Sequence, residues 1–300
     1  MNYVYILIAD ILLGAIFVLN KKYQQYQGSG LAAGLKSNVI IGAVGFLIFF
    51  TVSGFRISVT PFSFLMATLT TLSGVIYTVI GLKILSGGKV AIYAMFLMSG
   101  GMLLPFLFGA IFMDEDITLW HIIGAVLIIA AIAISNFDRI KPTKKQIAMS
   151  VTVFFLNGFL GIFSKIHQTA KEYETISTES FVAIGNLIKT VICLIALITV
   201  TLIANRGKER AVGDAVAKVN TKDAVIPYVL LFLVAAADCV SYFCQLKGAV
   251  DIPATVLFPL VSGGSIVMTA AVGMLVLKEK PTKSAIIGMA VCTLGMCMFI

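Results

Sequence analysis

Residues 115–124 read Glu-Asp-Ile-Thr-Leu-Trp-His-Ile-Ile-Gly, and residues 279–288 read Glu-Lys-Pro-Thr-Lys-Ser-Ala-Ile-Ile-Gly. Both fit E-x2-T-x3-I-I-G, and the two copies stand 164 residues apart. Working outward, Ser99-Gly100-Gly101 matches Ser262-Gly263-Gly264, Asp10-x3-Gly14 parallels Asn157-x3-Gly161, and Leu35-Lys36-Ser37 parallels Ile188-Lys189-Thr190. One such match between apolar segments is readily a coincidence. Four in the same order point to a duplicated chain.

The background in which the repeat sits is that of a membrane protein. Of 300 residues, 59% are hydrophobic and 12% charged, against roughly 25% charged in soluble domains. Mean hydropathy is +1.03. A water-soluble globule cannot cover itself with so little charge, which excludes an ordinary cytosolic enzyme, a disordered chain and a nucleic-acid module. Ten apolar runs, at roughly 3–20, 33–54, 60–82, 89–112, 118–137, 147–164, 181–204, 225–246, 253–277 and 284–300, approach the ~20 residues that a span requires. They are expected to be helices, because an open sheet would leave backbone groups unsatisfied in lipid. The start, MNYVYILIADILLG, lacks a basic n-region and a small-residue cleavage site and is read as the first span.

Charge distribution supports that count. Of the 22 Lys and Arg, 17 fall in loops after odd-numbered spans. Four (Arg56, Lys165, Lys171 and Lys247) follow even-numbered spans, and Lys189 lies inside span seven. Cytoplasmic loops carry the excess of Lys and Arg, so both termini are expected outside. Because each half contains an odd number of spans, the second half enters the bilayer in the opposite sense. The expectation is an all-α polytopic membrane protein of ten transmembrane helices, built as two inverted five-helix repeats. Residues 1–137 form the first repeat, 138–146 a basic linker and 147–300 the second. Inverted repeats characterise many secondary transporters, whose halves rock about a central site.

The paired E-x2-T-x3-I-I-G segments, each between a Gly-rich span and a final apolar span, resemble the EamA-type drug/metabolite transporter superfamily. The resemblance covers essentially the whole chain and implies two five-helix repeats, each with a Gly-Glu pair before its last helix. Here Glu115 and Glu279 supply the Glu, while Asp114 and Lys278 stand where the family has Gly. Pro259 stands where the family often has a Pro in the ninth helix, and its first-half counterpart is Phe96. Lys36 and Lys189 fall where the second helix of each repeat often begins with a basic residue. Family members are usually drawn with both termini cytoplasmic; the charge distribution of this chain predicts the reverse.

Polar residues within the spans mark candidate function, because they are costly there. Asp10 is a candidate proton carrier or cation-binding group, or else half of a structural pair. Asp238 is followed by Ser241, Tyr242 and Gln245 at helical spacing, as one wall of a polar cavity or an interhelical hydrogen-bond cluster. Lys189 either snorkels, pairs with Asp238 or binds an anionic group. Asn157, the repeat partner of Asp10, and Asn186 are further cavity candidates. Tyr77 shares span three with Thr68, Thr70, Thr71 and Ser73, hydroxyls that can bond back to their own helix. Gly100, Gly101, Gly263 and Gly264 allow close helix approach, and Pro105 and Pro259 interrupt the same two helices, for a kink or a gate. Glu115 and Glu279 are expected to favour helix starts, and His121 and His167 to be interfacial.

The five cysteines all fall inside spans with no C-x-x-C, so neither disulfides nor metal sites are expected. H-E-x-x-H, Walker and G-x-S-x-G motifs are absent, so the chain is expected to be neither an enzyme nor a primary ATP-driven pump. No cofactor is expected. The reading is a secondary carrier for a small organic solute, coupled to protons through Asp10 or Asp238, with a cavity lined by spans one, three, six and eight. A non-transporting accessory or lipid-flipping subunit is the alternative. Its partners would be the solute, protons and the lipid bilayer, with no nucleic acid. A monomer is sufficient, and a homodimer is compatible.

Overall fold

The computed structural model describes residues 2–27, 30–86, 90–135, 143–206, 225–278 and 282–299. Glu279, Lys280 and Pro281, the basic residues at 89, 139 and 141, and the polar stretch 207–224 lie outside the described residues.

The described residues form ten helices and no strand. These are α1 (Asn2–Gln27), α2 (Leu31–Val52), α3 (Pro61–Ser86), α4 (Val90–Phe112), α5 (Leu119–Ser135), α6 (Lys144–Thr169), α7 (Thr178–Arg206), α8 (Ile226–Asp251), α9 (Ala254–Leu277) and α10 (Lys283–Cys297). Local chemistry sets several starts. Thr143 and Gln146 form a reciprocal capping box that opens α6, so the last three residues of the expected linker are helical. Thr282 accepts from Ala285 N–H at the start of α10. Pro61, with its fixed φ and absent N–H, opens α3, and Pro253 precedes α9. Pro105 and Pro259 lie inside α4 and α9, as expected.

Among the described residues, eight of the ten helices are long and apolar enough to cross a membrane, where ten spans are expected. The described parts of α5 and α10 are apolar but number 17 and 15 residues, below the ~20 that a span requires. The outer surface is apolar, with Leu47, Phe64, Leu65, Ile195, Phe232 and Leu294 all exposed. That surface suits hydrocarbon rather than water. The protein is a multi-pass membrane protein.

Packing follows a definite pattern. α2 lies on α7, α5 on α10 and α4 on α9, while α1 packs on α8 and α9, and α6 packs on α3 and α4. One core joins Met102, Phe106, Ile128 and Ile132 to Leu257 and Cys292. A second joins Phe49 and Ala67 to Phe181, Val182 and Leu246. Glycine makes the closest approaches possible. A side chain at Gly264 would run into the Asp10 carboxylate, and one at Gly101 would stand 2.5 Å from Asn157 Nδ2.

Candidate functional site

Along α7, Leu187 and Val191 face outward, 43% and 48% exposed. Lys189 lies two residues from each, and two residues turn a helix by about 200°. Lys189 therefore faces the bundle interior. The same arithmetic applied to exposed Val240 turns Asp238 inward on α8. The two meet, with Lys189 Nζ 3.3 Å from Asp238 Oδ2. Each retains accessible surface, 25% for the Lys189 side chain and 41% for Asp238. The pair thus faces inward while part of each side chain stays accessible. Of the alternatives for Lys189, the structure takes the pair with Asp238.

Hydroxyls surround the pair. Tyr77, on the inward stripe of α3, lies within electrostatic range of both Lys189 and Asp238, and Tyr242 within range of Asp238 and Tyr77. Tyr93, near the start of α4, lies within range of Tyr77. Its ring stacks against the bare Cα of Gly81, where an added Cβ would stand 2.5 Å from Cε2. Tyr242 OH and Ser164 Oγ of α6 share a hydrogen bond of 2.7 Å. Gln245 Nε2 donates to Ser241 Oγ at 3.3 Å, and Ser241 Oγ donates to the Ala9 carbonyl of α1 at 3.0 Å. Behind the pair, Cys239 Sγ donates to Asn186 Oδ1 at 3.8 Å, and Asn186 Nδ2 donates to the Val182 carbonyl. The group offers one positive charge, one negative charge and several hydroxyls to a small polar solute.

Asp10 and Asn157 have other surroundings. Asp10 is 5% exposed and sits over Gly264, and its buried Oδ1 has no hydrogen-bond partner among the described residues. Asn157 sits over Gly101 and donates to the Leu97 carbonyl at 2.8 Å. Gly100 and Gly263 pack against Phe154 and Met296 respectively, so all four glycines occupy helix contacts. In α3, Thr68 and Thr78 bond back to their own helix. Thr71 reaches across to the Gly185 carbonyl at 3.3 Å.

Three expectations are corrected. Lys165 was placed in a loop, but it lies inside α6, 3% exposed. There it donates to the Ala249 and Ile252 carbonyls at 2.8 and 2.6 Å. These carbonyls at the end of α8 give the ammonium the acceptors that burial demands. His167 is buried rather than interfacial. It stacks on Phe181 at 4.0 Å between centroids and bonds Ser63 Oγ through Nε2 at 2.9 Å. Glu115 caps a helix, but not its own. Its Oε1 and Oε2 accept from the Ala254 and Thr255 N–H groups at the start of α9, at 2.7 and 2.8 Å. Thr118, whose Oγ1 accepts from His121 N–H, opens α5 in its place.

Sequence reasoning did not select Ser164, Tyr93 or Ser63. Ser164 carried a signal, because it follows Asn157 by seven residues and so shares its helix face. Tyr93 and Ser63 carried none, since single hydroxyls near span ends are common.

All five cysteines are free, four of them buried and Cys297 exposed. Comparison with known proteins places these features in a family context. The model of the EamA-like transporter family matches residues 144–300. No curated protein matches the chain. A protein of known crystal structure shares the fold, with a TM-score of 0.73 at 15% identity, over 99% of this chain and 95% of that one.

Proposed function

Because the chain belongs to the EamA-like transporter family, whose members move small solutes across membranes, we propose that it is a secondary carrier working by alternating access, with the Lys189–Asp238 pair at its solute site. The observation that carries this reading is the pair itself, turned inward, accessible and flanked by Tyr77 and Tyr242. A solute with both a cationic and an anionic group replaces each partner's counter-charge when it binds. A solute of one sign leaves one partner unpaired in a low-dielectric setting, which is costly.

The carrier is built as two inverted repeats, 1–137 and 147–300, joined by 138–146. Several contacts support this. If every helix is exchanged for the one five places away in order, α1 on α8 becomes α6 on α3, and α1 on α9 becomes α6 on α4. α2 on α7, α4 on α9 and α5 on α10 map onto themselves. The detail follows the same exchange. Asp10 over Gly264 corresponds to Asn157 over Gly101, and Gly14 against Met268 to Gly161 against Pro105. Gly124 against Gly295 corresponds to Gly288 against Ala131. Such pseudo-symmetry gives rocking halves two equivalent end states.

Proton coupling runs through Asp10, whose buried carboxylate has an oxygen free to take a proton, or through Asp238. The basic loops after the odd helices face the cytoplasm, which leaves both termini outside. A single chain suffices. The test is lumenal pH in proteoliposomes under an imposed gradient, with pools of amino acids, organic cations, nucleosides and sugars added in turn. Proton flux that appears with a zwitterionic pool and is lost in Asp10→Asn or Asp238→Asn supports the reading. Full pH-driven transport in both variants removes the coupling, and solute flux that persists in Lys189→Gln and Asp238→Asn removes the pair from the site.

A further inference from the structure

The loops after α2, α4, α6 and α8 share one face, the cation-poor one. Polar bonds join the two halves of the chain at this face. Thr60 Oγ1 donates to the Glu174 carbonyl at 2.8 Å, and Ser63 bonds His167. The strongest is Glu115, between α4 and α5 of the first half. Both of its carboxylate oxygens bind backbone N–H groups of α9 in the second half. Those N–H groups belong to the first turn of α9 and have no partners within the helix, and the positive end of the helix dipole favours the carboxylate. Gly109 closes the space beneath, since an added Cβ would stand 2.5 Å from Glu115 Oε2 and 3.0 Å from Ala254 Cβ. Lys165 holds the adjoining α8–α9 turn in place through two carbonyls.

We propose that the bridge from Glu115 to the start of α9 is a latch that holds the cation-poor face shut and that must open once in every transport cycle. The proposal rests on the carrier reading. The Lys189–Asp238 pair lies near the middle of its helices, and Gln245 lies about 10 Å further along α8 toward the latched face at 1.5 Å per residue. The Ser164–Tyr242 bond lies in the same interval. On the proposal, opening this face to solute requires the start of α9 to part from the α4–α5 turn that Glu115 ties to it. The latch suits repeated opening. When it parts, water satisfies both the carboxylate and the freed N–H groups, and neither is left buried and alone.

The test has two arms. In the first, Gln245→Cys is placed in a chain whose five native cysteines are replaced by alanine. It is labelled with a membrane-impermeant maleimide from the cation-poor face, with and without Glu115→Gln. Replacing two charge-assisted bonds by weaker ones should shift the closed–open balance about tenfold, and labelling should accelerate to match. Unchanged labelling, with or without a lower melting temperature, makes Glu115 a plain structural cap and overturns the proposal. In the second arm, Gly109→Cys and Ala254→Cys are cross-linked, since their Cβ separation is close to disulfide range. Oxidation should stop solute flux and dithiothreitol should restore it. Flux that continues at the reduced rate in fully cross-linked protein overturns the latch. If the wild-type chain carries no solute, the carrier reading fails, and the labelling arm decides the latch alone.

Discussion

Asp114 and Lys278 occupy equivalent places in the two halves, each one residue before the Glu of the repeated motif. Both adopt left-handed backbone, with φ of 49° and 53°. The family resemblance has Gly at this place, and the conformation supplies the reason, since a Cβ costs roughly 1–2 kcal/mol there. Asp tolerates the left-handed region better than Lys. Lys278→Gly should therefore raise stability by about 1 kcal/mol and Asp114→Gly by less, read as thermal unfolding in detergent. Gly264→Ala should act in the other direction, because the new methyl meets Asp10. A loss of about 1–3 kcal/mol is expected from such overpacking, and Asp10→Ala in the same chain should recover part of it. For the ion pair, Lys189→Gln or Asp238→Asn alone should cost about 1–2 kcal/mol by stranding a charge, whereas the double variant should cost less than either. If transport stays lost in the double variant while stability recovers, the pair binds solute. If transport recovers as well, the pair is structural.

At the scale of the helix, the legible residues were those whose chemistry conflicted with their surroundings. Asp10, Lys189 and Asp238 stood out because each interrupts an apolar run. The inward stripe of α8 was legible for the same reason, with Asp238, Ser241, Tyr242 and Gln245 recurring at helical spacing. The number of helices and the Gly–Pro composition of α4 and α9 could also be read along the chain. Lys165 and His167 could not, because a cation near a span end usually snorkels. What buries them is the end of α8 in one case and the aromatic rings of Phe62 and Phe181 in the other. Glu115 was legible as a cap, but its helix lies 139 residues away in sequence, and no local spacing records that. Lys165→Met should test the same point. It leaves the Ala249 and Ile252 carbonyls unbonded and should lower stability by about 1–3 kcal/mol, with melting temperature as the readout.

For the whole molecule, the duplicated order of motifs is what motivates the proposed pair of repeats, and the pairwise packing of the helices is compatible with it. Orientation rests on the loop charges. Reporter fusions to the C-terminus should be active for an enzyme that folds only outside the cytoplasm and dark for a fluorescent protein that folds only within it. The opposite pattern would reverse the assignment of the basic face. The shortness of α10 has a consequence for the lipid. Between its caps Thr282 and Met298 it runs about 23 Å at 1.5 Å per residue, against a hydrocarbon thickness of ~30 Å. It packs on α5, and Ile287 and Leu294 present apolar side chains outward. Acyl chains beside α10 are expected to compress or tilt to meet it, thinning the bilayer along that flank. That hydrophobic mismatch favours shorter-chain lipids at this flank and makes membrane thickness a variable to which the protein responds.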